Sequence, residues 1–357
     1  SENEAKYGLP WTFSFHGVGD QGGCPTKLSV SVMQKEIDKN NKNDVKVISA
    51  RSDEIYDDLN ALSDEQKDKL PAWNNELVMT AHAVGGYTSR AIGKRWNRRC
   101  EELADVTERA AVLGTALGNM EYPAVTLEKA WKRAIAHQFH DDIPGTSVQR
   151  GYQRSWNDYV LSMNQLENEY THSVGAVAAA MDTSWVKGTA VVINNSLEQD
   201  RSDVVTVALN IKSDYVRVLD KKGKSVPCQI ISREGDKAVI AIYCQMKSLG
   251  YRVLDVQSSD KAEEYDTDLK ATDSTLENGR YFVAVDSNGD ICSIIDKKHS
   301  KDLLKKSIRH QLIKYEGSSS WPAWELNYED IAADITEFPT LQSKKVLYSG
   351  PVTAAIE

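Results

Sequence analysis

A histidine and two aspartates are adjacent in His140-Asp141-Asp142, at the point where a predicted helix ends. The helix is indicated by Trp131, Ile135 and Phe139, which recur every four residues. It must end before Pro144-Gly145, because proline disfavours helical geometry in the residue that precedes it. A helix end is a rigid place from which to aim one base and two acids, as a metal or sugar site requires. The same residues also fit an ordinary turn, since Asp near a Pro-Gly break is common.

The composition excludes several classes of protein. The chain has 357 residues, of which 41% are hydrophobic and 27% charged, as in an ordinary globular protein of two or three domains. Its net charge of -9 disfavours nucleic acid as a partner, because phosphate would be repelled. No apolar run approaches the ~20 residues of a membrane-spanning helix. The cysteines are odd in number and show no Cys-x-x-Cys spacing, which argues against a thiolate zinc site and a disulfide scaffold.

Residues 1–85 alternate predicted strands and helices. Strands are predicted at 11–15, 45–49 and 76–80, and helices at 28–38, 52–60 and 63–70. The first strand leads into a glycine-rich loop at 17–26, which matches neither a dinucleotide fingerprint nor a phosphate-binding P-loop. This alternation predicts the last part of a parallel α/β domain.

The middle of the chain is predicted to be helical. Three helices are predicted at 90–117, 127–139 and 148–183. Thr88 or Ser89 is expected to cap the first helix, and Thr146 or Ser147 the third, because a hydroxyl accepts from free backbone N–H groups. The short connections predict that the three helices pack on one another as a bundle. The basic residues at 94–99 are expected to form mostly a solvated face.

From Thr189 the spacing of apolar residues changes from near four to two. Strands are predicted at 190–194, 204–209, 215–219, 237–243 and 250–256. Short strands without intervening helices are typical of an antiparallel sandwich. The polar stretch 258–275 is predicted to be a linker, and 276–297 a hairpin around a Ser-Asn-Gly turn.

Several of these segments resemble one known family, in the same order along the chain. The string Gln138-Phe-His-Asp-x-Ile-Pro-Gly-Thr-Ser147 resembles the signature of glycoside hydrolase family 38, the retaining zinc-dependent α-mannosidases. Further segments that resemble the family are Gly19-Asp-Gln-Gly-Gly-Cys-Pro-Thr26, His82-Ala-Val-Gly-Gly-Tyr-Thr-Ser89, 276–297, 311–315 and 321–325. The glycine-rich loop departs from the family pattern at Gln21 and Cys24.

The resemblance implies roles for individual residues. In the family, the equivalent of His140 ligates zinc and that of Asp141 contacts mannose hydroxyls, while Asp142 and Tyr87 are further candidate sugar contacts. Asp20 is the candidate acid/base, since a retaining glycosidase needs one carboxyl group to protonate the leaving oxygen and another to attack the sugar. Without the resemblance, Asp20 is better read as a turn residue that bonds its own backbone, and with it the two readings are about equal. The implied cofactor is zinc, and the implied substrate a mannose-containing oligosaccharide that loses terminal α-D-mannosyl residues.

The expected fold class is α+β in three parts. These are the C-terminal part of an α/β barrel at 1–85, a three-helix bundle at 86–185 and the start of a β-sandwich domain at 186–357. The resemblance also implies a His-x-Asp zinc pair and an Asp nucleophile on other barrel strands, and neither is found in this sequence. We therefore expect an internal fragment whose partners include the missing parts of its own barrel and sandwich. Because zinc takes about four ligands, this fragment should bind zinc weakly and hydrolyse nothing by itself.

Two alternatives stay open. The chain could be a carbohydrate-binding or scaffold module without chemistry, with Trp321 and Trp324 stacking on sugars, although packing in the core or at a domain interface is the commoner role of such residues. It could also be an unrelated zinc hydrolase that uses His137 and His140 on one helix face, but no His-Glu-x-x-His pattern accompanies them. The sequence indicates no cellular location.

Overall fold

The computed structural model describes residues 2–17, 24–39, 45–74, 83–313 and 321–357. The chain divides into two compact units, Ser1–Val78 and Met79–Glu357. It contains both helices and antiparallel sheets, so the predicted α+β class is confirmed. No helix within the described ranges is both long and apolar enough to cross a membrane.

The first unit contains short helices. They are α1 (Glu2–Tyr7), α2 (Lys27–Asp38), α3 (Glu54–Asn60) and α4 (Asp64–Lys67). Thr26 caps α2 by accepting from the Ser29 N–H. Ser63 and Gln66 form a capping box at the start of α4. The helices α2 and α4 therefore begin where local side-chain chemistry satisfies free N–H groups.

The strands predicted in this unit are wrong where the structure describes them. Residues 11–15 and 46–49 have no regular structure, and Phe15, Val45 and Ile48 are exposed. A strand exists only where a neighbour accepts its backbone hydrogen bonds, and none of the described residues of this unit pairs in this way. The third predicted strand, 76–80, and Asp20 in the glycine-rich loop lie outside the described residues.

The second unit begins with a short 3₁₀ helix, Val84–Tyr87, followed by the long helices α5 (Ala91–Ala116), α6 (Ala124–Ala136) and α7 (Gln149–Ala179). These three helices contact one another in every pairing. They bury small residues such as Ala104 and Ala130 beside Leu103, Leu127 and Leu166. Small side chains let the helix backbones approach closely, and the leucines fill the remaining space.

Two of the three residues whose spacing predicts α6 are exposed. Ile135 and Phe139 are exposed, whereas Leu127, Ala130 and Ala134 are buried. Four-residue spacing identifies a helix, but the side that is buried depends on where α5 and α7 lie.

The predicted caps are also wrong. Residue Arg90 precedes α5 with a left-handed backbone, and Val148 precedes α7, and neither makes a side-chain capping bond. The hydroxyl groups of Thr88 and Thr146 instead contact main-chain oxygens of their own turns, those of Gly85 and Asp141.

Two antiparallel sheets follow the helices. Their strands are β1 (Thr189–Asn194), β2 (Arg201–Asn210), β3 (Tyr215–Leu219), β4 (Ser225–Val226), β5 (Cys228–Glu234), β6 (Lys237–Met246) and β7 (Tyr251–Ser259). One sheet has the order β1-β7-β3-β4 and the other the order β2-β6-β5. Val218 and Leu254 of the first sheet and Ile240 and Ile242 of the second belong to one buried cluster. Every strand predicted between residues 190 and 256 is present, and β4 and β5 were not predicted.

A five-stranded sheet of order β12-β11-β10-β9-β8 comes next. Its strands are β8 (Lys270–Ala271), β9 (Thr275–Glu277), β10 (Tyr281–Val285), β11 (Ile291–Asp296) and β12 (Lys301–Asp302). The pairing of β10 with β11 confirms the predicted hairpin. The predicted linker is partly wrong, because β7 extends into it and β8 lies within it. The chain ends with β13 (Leu312–Ile313), α8 (Tyr328–Ile331), β14 (Ile335–Glu337), β15 (Val346–Tyr348) and β16 (Ala355–Ile356).

Candidate functional site

The candidate site is built on the turn at 137–147, which joins α6 to α7. The Asp142 N–H donates to Phe139 O, and the Gly145 N–H donates to Asp142 O. Gly145 has φ +90°, and a Cβ at this position would lie 2.5 Å from Ser89 O. The turn therefore needs glycine here, both for the backbone angle and for the close approach of residue 89.

His140 and Asp141 point outward from this turn. The His140 side chain is 74% exposed, and its Nε2 lies 3.4 Å from Asp141 Oδ2. Thr146 Oγ1 donates to Asp141 Oδ1 at 3.3 Å, which orients the carboxylate. Tyr152 Oη donates to the Asp141 main-chain oxygen at 3.2 Å and so anchors its backbone to α7. An accessible imidazole and carboxylate are thus presented together on a fixed backbone.

Asp142 is engaged inside the fold. Its Oδ2 lies 2.6 Å from His137 Nδ1, and its Oδ1 accepts from Ser155 Oγ at 2.6 Å. Both carboxylate oxygens therefore have protein partners. The predicted sugar contact of Asp142 stays a prediction.

Lys94 joins the turn to the segment that precedes α5. Its Nζ donates to Ser89 O at 2.6 Å and to Ile143 O at 2.8 Å. Burial lowers the pKa of Lys94 below its usual value. Lys94 is therefore part of the structure that supports the turn, although the sequence predicts a solvated face for most of the basic residues at 94–99.

A third segment, 321–325, contacts the same place. Ser89 Oγ donates to Ala323 O at 2.7 Å, and the Gly85 N–H donates to Trp324 O at 2.9 Å. A Cβ on Gly85 would lie only 3.0 Å from Trp324 O. We call the meeting point of residues 83–90, 137–147 and 321–325 the three-segment junction. Tyr87 lies within the first of these segments and is exposed.

The sequence predicts each of these segments separately, and the structure brings them together. His140, Asp141 and Tyr87 all belong to the junction, whereas Asp20 lies outside the described residues. Lys94, Ser155 and Asp158 were missed as supporting residues; Asp158 Oδ2 lies 3.1 Å from His137 Nε2. For Ser155 the available signal was its helical spacing, three residues after Tyr152 and four before Tyr159, which are both buried on α7.

Among the described residues, no group of three or more His, Cys, Asp or Glu side chains could hold a metal ion. Both ring nitrogens of His137 face carboxylates, which disfavours the alternative in which His137 and His140 share a zinc ion. His140 is accessible and can offer one imidazole to a metal.

The buried cysteines are poor candidates for a nucleophile. Burial raises the pKa of the Cys100 and Cys244 thiols to about 11. Because the thiolate is the reactive form, these two side chains act as small apolar core residues.

Comparisons with known proteins agree with the motifs. Residues 81–177 match the family model described as the α-mannosidase middle domain, and residues 276–357 match the model for the C-terminal domain of glycosyl hydrolases family 38. "Alpha-mannosidase G" of Dictyostelium discoideum is 22% identical over 96% of this chain and 33% of that protein. "Alpha-mannosidase" of Saccharomyces cerevisiae is 30% identical over 38% of this chain and 13% of that protein.

Solved structures show the same fold. An α-mannosidase from Enterococcus faecalis superposes with a TM-score of 0.56 over 77% of this chain and 35% of that chain, at 16% identity. A family 38 glycosyl hydrolase structure from the same organism superposes with a TM-score of 0.53 over 72% of this chain and 34% of that chain, at 18% identity. The chain spans about a third or less of the length of the Dictyostelium and Saccharomyces relatives.

Proposed function

Because this chain belongs to glycoside hydrolase family 38, we propose that it supplies the middle and C-terminal parts of a retaining α-mannosidase. The substrate class is an oligosaccharide with terminal α-D-mannosyl residues, as the names of the relatives suggest. In this proposal, residues 86–185 are a three-helix bundle, 186–357 begin a β-sandwich domain and 1–85 belong to the α/β catalytic domain.

The observation that carries the proposal is the pair His140 and Asp141 on the turn between α6 and α7. Thr146, Tyr152 and Lys94 hold this turn through hydrogen bonds, so the pair is fixed before any ligand arrives. A carboxylate held in this way can accept hydrogen bonds from two sugar hydroxyls and orient the ring. We assign Asp141 to this role.

The zinc ion of this proposal is consistent with the imidazole donor that His140 offers. His140 is accessible and fits one position of a zinc site, but the described residues supply no set of three ligands. When bound, zinc would act as a Lewis acid towards the mannose hydroxyls. We propose that the 357-residue chain binds zinc weakly by itself, because about four ligands are needed for tight binding.

The acid/base assignment of Asp20 also belongs to this proposal. A retaining glycosidase requires two carboxyl groups about 5 Å apart across the scissile bond. Asp20 lies outside the described residues, so its support is the likeness of its loop to the family segment. Exchange of Asp20 for Asn should leave substrate binding intact and slow hydrolysis.

The alternative is a carbohydrate-binding module without chemistry, and the exposed indole of Trp321 favours it. Such a module would bind mannosides whether or not zinc is present. Isothermal titration with mannobiose, with and without zinc, separates this alternative from the glycosidase.

The main test is hydrolysis of an aryl α-mannoside by the complete gene product and by the 357-residue chain. We expect hydrolysis by the complete product only, and a loss of about 100-fold or more in kcat/KM for His140→Ala and Asp141→Asn. His172→Ala, an exposed histidine on α7, is the matched control and should retain activity. A complete product that hydrolyses no α-mannoside, or a His140→Ala variant with full activity, refutes the proposal.

A further inference from the structure

His137 lies at the end of α6 between two carboxylates from different elements. It is 7% exposed. Its Nδ1 is 2.6 Å from Asp142 Oδ2 in the turn, and its Nε2 is 3.1 Å from Asp158 Oδ2 on α7. Three elements therefore meet on one imidazole ring: the end of α6, the turn and α7.

The protonation state of this ring follows from the number of its donors. A neutral imidazole has one N–H donor and one acceptor nitrogen, whereas the imidazolium ion has two donors. Two ionised carboxylates only accept hydrogen bonds, so both contacts are satisfied only when His137 carries a proton on each nitrogen. Loss of one proton leaves a nitrogen lone pair facing a carboxylate, and one of the contacts must open.

The other groups around the ring support this arrangement. The Tyr159 ring is 5.3 Å from the His137 ring, and its hydroxyl donates to the His137 main-chain oxygen at 3.4 Å. On α5, Glu101 accepts from the side chain of Gln138 rather than from His137. The charged groups facing the ring in the described structure are thus Asp142 and Asp158.

The double contact of His137 fixes the residue next to the proposed sugar contact. Asp142 directly follows Asp141, and its second oxygen accepts from Ser155 on α7. A movement of Asp142 would carry the backbone of Asp141 and His140 with it, because they share the turn. We propose that His137 is a positioning residue, which in its protonated form holds the turn bearing His140 and Asp141 against α7; its effect on catalysis rests on the proposed function.

The substitution Asp158→Asn separates the charge of His137 from its contacts. An asparagine amide can donate to Nε2, so a neutral His137 can keep both partners by donating from Nδ1 to Asp142. The turn should then stay closed without the second proton. His137→Gln removes the double contact altogether, and His172→Gln on α7 is the matched control.

The test measures the ring nitrogens of His137 by NMR and the amide protection factors of residues 142–147 in the full 357-residue chain. In the unsubstituted chain we expect two protonated ring nitrogens while the turn is protected, and protection that falls when one of them loses its proton. His137→Gln should lower protection in the turn about tenfold or more, the factor expected from one lost hydrogen bond to a charged group. Asp158→Asn should show one protonated nitrogen and protection that does not change with pH.

Two results overturn the proposal. One is a ring with a single N–H in the unsubstituted chain while the turn is protected. The other is a folded His137→Gln chain whose turn is protected as in the unsubstituted chain. If His137→Gln does not fold, the ring nitrogens of the unsubstituted chain and of Asp158→Asn decide the matter.

Kinetics of the complete gene product separate this proposal from the proposed function. If it hydrolyses mannosides, His137→Gln should lower kcat/KM. Asp158→Asn should keep kcat/KM, because a neutral His137 then retains both of its contacts. Unchanged kcat and KM in His137→Gln refute positioning but leave the glycosidase intact. If the complete product hydrolyses nothing, the glycosidase fails, while the NMR and exchange results still decide whether His137 holds the turn.

Discussion

At the scale of single residues, two histidines three positions apart have opposite environments. His137 is buried between Asp142 and Asp158, whereas the His140 side chain is 74% exposed beside Asp141. Helix α6 ends at Ala136, before both histidines, so three-residue spacing does not place them on one helix face. The buried histidine belongs to the support of the turn, and the exposed one is available to a ligand.

Gly145 is the residue on which the geometry of the turn most depends. We predict that Gly145→Ala lowers the free energy of unfolding by about 3 kcal/mol or more, because the new Cβ meets the backbone of Ser89 at a positive φ. Gly118→Ala is the matched control: φ is +76° there, but no atom lies within 4 Å of the added Cβ. Gly118→Ala should lower the free energy of unfolding by about 1–2 kcal/mol, the cost of the left-handed backbone alone. Urea unfolding followed by circular dichroism measures the free energy of unfolding of both variants. If both variants lose the same amount, the contact with Ser89 is not what makes glycine necessary at position 145.

At the scale of elements, one buried carboxylate fixes the connection between α7 and the sheets. Asp255 on β7 is 2% exposed and accepts from the Lys187 N–H at 3.0 Å and the Gly188 N–H at 2.8 Å. Burial opposes its ionisation, but these hydrogen bonds and one from Gln257 outweigh burial and hold the pKa of Asp255 below its usual value. The start of β1 is therefore attached to β7 through a charge as well as through the strand ladder.

This attachment predicts that the stability of the fold depends on pH. Because the pKa of Asp255 is lower in the folded chain, its contribution to stability is present above about pH 4, the range in which the unfolded carboxyl is ionised. It is lost as the pH falls through the folded pKa. Asp255→Asn should lower the free energy of unfolding by about 1–3 kcal/mol at neutral pH and by less in acid.

The control for this prediction is Asp203→Asn, which changes an exposed aspartate on β2. Asp203→Asn should change the free energy of unfolding by less than about 0.5 kcal/mol at either pH. Urea unfolding at neutral pH and in acid measures both variants. If the prediction holds, Asp255→Asn lowers the free energy of unfolding by different amounts at the two pH values. An equal decrease would show that the ionised carboxylate does not stabilise the connection.

At the scale of the whole molecule, burial is distributed unevenly. Among the described residues of the first unit only Leu9 is buried, whereas the second unit has buried clusters around Leu166 and Ile240. Apolar burial is the main favourable term in folding, so the two units should differ widely in local stability.

Hydrogen exchange read by mass spectrometry tests this expectation. Peptides from residues 2–17, 24–39 and 45–74 should exchange early, whereas peptides from α5, α7 and β6 should exchange last. The reason is that exchange through local opening is controlled by the free energy of that opening. The peptides of α2 are the internal comparison, since it is a regular helix with no buried residue. Slow exchange in α2, equal to that in α7, would contradict the link between burial and protection.

The sequence by itself determined the helices α2 to α7, the strands β1 to β3, β6, β7, β10 and β11, and the turn that carries His140 and Asp141. These features are encoded by spacing of apolar residues and by Pro, Gly and capping residues within a few positions. The motifs also indicated the family, which the two matching family models support.

Only the tertiary structure decided which face of α6 is buried, that 11–15 forms no strand, and that His137 is enclosed while His140 is accessible. It also brought Ser89 to Ala323, residues 234 positions apart, and so formed the three-segment junction. The physical reason is that strands, buried faces and supporting hydrogen bonds need partners from other elements. The relative placement of those elements follows from packing of the whole unit, which local spacing does not encode.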